Sequence, residues 1–198
     1  PSKNGFTVDV SVLNAKDNEI GTGSFVYTLD RKGMLKINTV FTPDTAIVKS
    51  LPRVGLTFRM PVANCCDVTY LGRGDFENYV DRAAGKIGIY ETSPFAMFHY
   101  YVMPQSTGNR IDTRWLALSG WKIISDKPFQ FSVLPYSDIN IEAATHINDL
   151  NFDGEVTVHV DAAQTGVGTA TCGPGVLPVY WLPLESYEFD FTFIPVKE

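Results

Sequence analysis

The sequence predicts an all-β protein, a single large antiparallel β-sandwich, and three observations carry that prediction. Apolar and polar residues alternate with period two in short segments along the chain. Turn signals separate those segments at the spacing of antiparallel all-β domains. The 198 residues are 44% hydrophobic and show no repeat, low-complexity run or linker, so one well-buried core and one domain, 1–198, account for them.

Taken in order, Phe6, Val8, Val10 and Val12 alternate with Thr7, Asp9 and Ser11 as a half-buried strand does. A turn follows at DRKG, 30–33. Val54, Leu56, Phe58 and Met60 then alternate with Gly55, Thr57 and Arg59, and STGN at 106–109 supplies the next turn. Phe129, Phe131 and Val133 repeat the strand pattern. Only SDINIEAATHINDL, 137–150, reads as helical: Ser137 can cap it, and Ile139, Ala143 and Ile147 recur at a four-residue step, which predicts one short helix near 137–148. The Asp153-Gly154 pair marks a hairpin turn before the strand pattern of Val156, Val158 and Val160. CGPG, 172–175, precedes a last strand, Tyr187, Phe189, Phe191 and Phe193. The aromatic share of 13% belongs to the core in such a domain.

Sixteen basic residues against 22 acidic ones leave a net charge of −6, and the basic residues are scattered. That excludes an electrostatic footprint for nucleic acid or anionic lipid. No apolar run approaches the roughly 18 residues of a membrane span, and the opening PSKNGFTVDV lacks the apolar centre of a signal peptide. The chain begins without an initiator Met, which suits a fragment or a processed chain as well as a whole protein, and the sequence assigns no compartment. Cys65, Cys66 and Cys172 are odd in number, with two adjacent; the expectation is reduced, partly buried thiols, not a disulfide framework or a zinc site.

Candidate sites divide into weak and weaker patterns. Asp149, Asn151, Asp153 and Gly154 match the first half of a calcium loop, but Val160 stands where a bidentate Glu belongs, so a turn is the better reading. Asp75 and Glu77 share a face if extended, yet no apolar pocket that would raise one pKa is visible beside them. His99, His146 and His159 lie in no metal spacing, and no Ser or Cys sits in a nucleophile elbow. Arg73-Gly74-Asp75 is an adhesion-like tripeptide that average composition produces by chance.

In sequence order, five segments carry a resemblance. LPRVGLTFRMP (51–61) is similar to an LPR-hG strand, LGRGDFENYVDR (71–82) to LGxGPxENYxDR, and YVMPQSTGNRIDTRWLAL (101–118) to Y-x-x-PQE-x-G-N-R-x-x-T/V-R-W. PYSDINIEAATHINDL (135–150) is similar to a P-Y-S-x-x-x-L-x-x-A-x-H-x-x-x-L helix, and VDAAQTGVGTATCGP (160–174) to a D-x-x-Q-x-G-x-GG-x-x-S-W-G loop. Together they resemble the C-terminal, small-chain domain of the glycoside hydrolase family 2 β-galactosidases.

The resemblance implies a galactose-mutarotase-like supersandwich, N-terminally truncated, since a segment resembling R-A-P-x-D-N-D is missing. It implies that Glu77, Asn78, Tyr79, Asp81 and Arg82 make structural hydrogen bonds and ion pairs, and that Asp75 replaces a Pro. It places Thr171, Cys172 and Gly173 in a loop, 166–175, at the mouth of a galactoside pocket, with Cys172 where many members carry Trp. Ser106 and Thr169-Ala170-Thr171 also depart from the pattern. Catalytic glutamates are implied in a TIM-barrel domain absent from this chain, with magnesium and sodium in other domains and no cofactor here. The implied partners are a β-galactoside, the remaining domains of one polypeptide and further copies in a homo-oligomer. An autonomous carbohydrate-binding module is the alternative, and a mutarotase-like epimerase a more remote one, for which the His residues offer no motif.

Overall fold

The structure, a computed structural model, describes residues 4–168 and 173–196. Its strands in chain order are β1 (Gly5–Leu13), β2 (Glu19–Leu29), β3 (Leu35–Pro43), β4 (Arg53–Pro61), β5 (Val68–Gly74), β6 (Lys86–Thr92), β7 (Arg110–Leu118), β8 (Trp121–Leu134), β9 (Glu155–Gln164) and β10 (Tyr187–Pro195). Two short helices interrupt them, α1 (Pro94–Met97) and α2 (Asp138–Ala143). Every strand pairing is antiparallel. The all-β prediction holds, and the five strand patterns read from the sequence are β1, β4, β8, β9 and β10.

β8 is the strand on which the architecture turns. Its first part, Trp121–Ile124, pairs with β10, and its later part, Gln130–Leu134, pairs with β9. Between them lies Pro128, which has no N–H to give a ladder, so the sheet forks where pairing is cheapest to lose. Asp190 covers the fork: its Oδ1 accepts from the Asp126 N–H at 3.3 Å, and Lys36 lies 3.3 Å from its carboxylate. One arm runs β10–β3–β2–β1, the other β9–β4, and β7, β5 and β6 continue from the shared trunk.

The arms pack on each other through the residues whose alternation was visible in the sequence. Phe129, Phe131 and Val133 of β8, Val156, Val158 and Val160 of β9 and Phe191 of β10 are buried in one cluster, with Leu56, Phe58 and Met60 of β4 against it. Phe129 meets Phe191 edge-on at 5.4 Å, and Phe58 meets Phe193 at 5.9 Å. Each of these rings buried in full contributes about 2–3 kcal/mol.

Three expectations change. β1 is a strand but not a half-buried one: Phe6 is 62% exposed, stacked only on Tyr27, because β1 lies at the sheet edge beyond the packed arms. The 137–150 segment is not one helix. Ser137 does cap α2, its Oγ accepting from the Asn140 N–H, but Ala144 is extended, and Ile147–Asp149 forms a separate 3-10 turn. The Asp149 carboxylate accepts from the Thr145 and His146 N–H groups and the Thr145 hydroxyl, donors freed by ending the helix at Ala144. Ile141 and Ala144 are the buried residues, whereas Ile139 is exposed. The Asp153-Gly154 pair, finally, is a connection from α2 into β9, not a hairpin turn.

Candidate functional site

The stretch 71–82 starts as the end of β5 and turns back on itself, and its charges reach three distant segments. Arg73 donates from Nε to Asp112 at 2.6 Å and from Nη1 to the Gly85 carbonyl, so the adhesion-like tripeptide begins with a committed side chain. Buried Arg110 fixes the turn from below, donating to the Tyr70 hydroxyl and to the carbonyls of Gly108 and Asp75. Glu77 sits inside a cage of donors: the Thr107 hydroxyl at 3.1 Å, the Gly108 N–H at 2.9 Å, Arg82, and the hydroxyls of Tyr79 and Tyr101. Burial alone would raise its pKa, but the bonds from Tyr101, Gly108 and Arg82 outweigh burial and hold it below the ordinary value. Asn78 bridges the turn, taking the Gly85 N–H on its Oδ1 and donating to the Phe76 carbonyl. Tyr79 is buried beneath Arg82, whose guanidinium lies 5.5 Å from the ring centroid. Glu77 thus holds the 101–108 segment in place.

Asp81 performs the corresponding task for the loop expected at a ligand-binding mouth. Its two carboxylate oxygens accept from the N–H groups of Val167, at 3.1 Å, and Gly168, at 2.7 Å. Gly166 is required there, since a Cβ would come within 2.6 Å of the Asp81 carboxyl carbon. Backbone bonds from Thr165 to the Pro52 carbonyl and from Gly166 to the Tyr180 carbonyl complete the base. On the far side Gly173 is an exposed bend, and Trp181 donates to the Val176 carbonyl. Thr171 and Cys172 lie outside the described residues. Cys65 is buried, which pushes its thiol up to about 11, and Cys66 is exposed; both are free.

Beside the loop base the structure brings together residues that sequence reasoning did not assemble. Between Val54 and Gly55 the β4–β9 ladder shifts register: Gly55 faces Asp161, but Arg53 faces Gln164. This bulge at β9 puts Gln164 on the same side as His159 and Asp161. α2 and the 101–108 segment cover that side, so these polar residues are enclosed: His159 and Asp161 are 1% exposed and Gln164 is 5% exposed. His159 pairs through Nε2 with Asp138 at 3.1 Å and through Nδ1 with the Thr57 hydroxyl at 2.9 Å. The bond from His159 holds the Asp138 carboxyl below its usual range. Asp161 has Arg53 Nε at 3.8 Å, and no described residue hydrogen-bonds either of its carboxylate oxygens. Burial pushes its pKa up to about 6. A cleft of about 600 Å³ opens over Arg53, Asp138, His159 and Gln164, and Pro104–Ser106 and Val167 also line it.

The remaining sequence patterns resolve structurally. Asp153 gives both carboxylate oxygens to Arg59 at 2.7 Å, and Asp149 caps its own turn, so the calcium-like residues do not converge. His99 lies edge-on against Tyr101, and His146 is exposed. The sequence signal for the cleft is the D-x-x-Q spacing of Asp161 and Gln164, which brings both to one face only if the strand bulges.

A family model described as beta galactosidase small chain matches residues 2–193. Among curated proteins, a beta-galactosidase of Priestia megaterium is 34% identical over 167 residues, covering 81% of this chain and 16% of that protein. One of Photobacterium profundum is 32% identical over 174 residues, covering 86% and 17%. The chain therefore spans about one sixth of the length of these relatives. A crystal structure of a GalM/aldose epimerase homologue from C. elegans aligns over all of this chain and 67% of its own, with 12% identity and a TM-score of 0.48, too distant to bear on the site.

Proposed function

The chain belongs to the beta galactosidase small chain family, and from that premise we propose that it serves as an accessory domain of a β-galactosidase, shaping the rim of the galactoside site and supporting assembly. Hydrolysis takes place on a TIM-barrel domain of the same longer polypeptide, by a retaining mechanism with its paired carboxyls about 5–5.5 Å apart. Magnesium and sodium belong to those other domains, and copies of the whole protein form a homo-oligomer. On this reading the isolated chain turns over no chromogenic β-galactoside.

The observation that carries the proposal is the Asp81 clamp. A carboxylate accepting two consecutive backbone N–H groups fixes where the 166–175 loop leaves the sandwich, a specific arrangement for a loop that presents Thr171, Cys172 and Gly173 to a ligand held elsewhere. It is supported by the state of the carboxylates on this chain. Glu77 is saturated with donors, and Asp161 is enclosed behind Arg53, whereas glycoside hydrolysis needs one protonated and one ionised carboxyl facing each other across the bond.

The test is made in the full-length enzyme, with the inhibition constant of a non-hydrolysed aryl thiogalactoside as readout. If Trp at position 172 covers about 50 Å² more of the aglycone than Cys, about 25 cal/mol per Å² predicts a roughly fivefold tightening for Cys172→Trp. Asp81→Ala, which frees the loop base, weakens binding of the same inhibitor. Unchanged inhibition and turnover in both variants would show that the loop does not border the pocket.

A further inference from the structure

The cleft over β4 and β9 is a separate matter from the loop, and its chemistry is written in what its walls still lack. Gln164 lines it, is 5% exposed, and has no hydrogen-bond partner for its Oε1 among the described residues. A buried acceptor left without a donor carries its full desolvation penalty. Such an oxygen is a natural receptor for a ligand donor, and the soft terminal torsion of the amide lets it turn toward the cleft. Arg53, beside Gln164 in the β4–β9 ladder, makes no side-chain hydrogen bond to a described residue, and its Nε lies 3.8 Å from Asp161, so its guanidinium retains donors to give.

Charge then selects the ligand class. Arg53 disfavours a cation, while Asp138 and Glu142 in the same lining, with Asp161 beside Arg53, disfavour an anion. A neutral molecule remains, one that both donates and accepts, since Gln164 and Asp138 accept and Arg53 donates. Pro104, Leu134 and Ile141 add apolar surface to the lining, which suits the C–H faces of a ring. The volume of about 600 Å³ falls within the range of small-ligand sites.

We propose that this cleft binds a neutral polyhydroxylated molecule the size of a monosaccharide, with hydroxyls donating to Gln164 Oε1 and accepting from Arg53. The site lies on this chain and does not depend on the proposed role of the 166–175 loop. It is therefore tested on the 198-residue chain itself, by titrating the ¹⁵N-labelled protein with D-galactose, D-glucose and myo-inositol. At least one of these produces saturable shifts at Gln164, Arg53 and Ile141 by about 100 mM, a concentration that saturates even millimolar binding. Gln164→Leu, of similar volume and without an acceptor to satisfy, weakens that binding roughly tenfold, and Arg53→Met weakens it similarly, each with its spectrum otherwise native. Absence of saturable shifts means the amide is satisfied by water alone and overturns the proposal. Equal binding by both variants, or tighter binding of ethanolamine or gluconate than of every neutral probe, overturns it as well.

Discussion

Asp161→Asn should change how the stability of this chain depends on pH, and the sign follows from the burial of the carboxyl. The residue is 1% exposed, neither oxygen is hydrogen-bonded by a described residue, and the nearest positive charge, Arg53 Nε, is 3.8 Å away. Its folded pKa of about 6 compares with an ordinary value of 3.8. Between those two values the unfolded chain has released the proton and the folded chain still holds it. Stability therefore falls as pH rises through that window, and the contribution of Asp161 is lost above about pH 6. Two pKa units correspond to a difference on the order of 3 kcal/mol. An Asn at 161 has nothing to titrate. Relative to the native protein the variant should gain on the order of 3 kcal/mol between pH 4 and pH 7.5, whatever its fixed cost from an unpaired amide. Urea unfolding of both proteins across that range, with unchanged m-values, measures the difference and cancels groups such as Glu77 that titrate alike in both. A pH-independent difference would mean that Asp161 is already ionised near pH 4 and that Arg53 outweighs burial.

Glu77→Gln should destabilise the fold by about 3 kcal/mol, because a carboxylate accepting from Arg82, Tyr101, Thr107 and Gly108 becomes an amide that meets some of those donors with its own; a loss under about 1 kcal/mol in the same unfolding assay would mean the cage is only approximate. Gly166→Ala should release the loop from Asp81, since its Cβ would lie 2.6 Å from the carboxyl carbon, and limited proteolysis should then cut within 166–175 faster than in the native chain; equal cutting rates would show that the clamp does not hold the loop. Calorimetric titration with calcium should show no micromolar binding, because Asp153 is committed to Arg59, and tight binding lost in Asp153→Ala would reverse that assignment.

The core was legible because the apolar positions of the alternation in β4, β8, β9 and β10 meet in one cluster, where Phe131, Val158 and Phe191 occupy positions that their sequence period assigns to one face. The same alternation misled at β1, since period two marks a face and not what covers it; Phe6 is exposed for that reason. α2 was legible at Ser137 and lost at Ala144, where the competing bonds come from Asp149, five residues on. His159 and Asp161 lie on the polar side of β9, but that side is roofed by segments distant in sequence, which local pattern does not encode. Gln164 was hidden more deeply, because a one-residue bulge decides which side it faces. The structural character of Glu77, Asn78, Tyr79, Asp81 and Arg82 came from the resemblance, whereas their partners are visible only in three dimensions.

Those partners explain why residues 71–82 concentrate two Arg and three carboxylates in a chain otherwise rich in apolar strands. Apolar contacts can hold a sheet face, but a loop returning across a sheet carries backbone N–H groups that must be met by acceptors. Glu77 meets one at Gly108, and Asp81 meets two at Val167 and Gly168. The segments so held, Pro104–Ser106 and Val167, both line one cleft, so a single turn positions two parts of its lining. Removing one anchor should then act on the cleft at a distance. Gly166→Ala loosens the Val167 wall and Glu77→Gln the Pro104 wall, and each should weaken binding of the responsive neutral probe without touching Gln164 or Arg53. If both variants keep the native affinity while Gln164→Leu loses it, the walls are positioned by the strands alone, and the charges of 71–82 serve the loop and not the cleft.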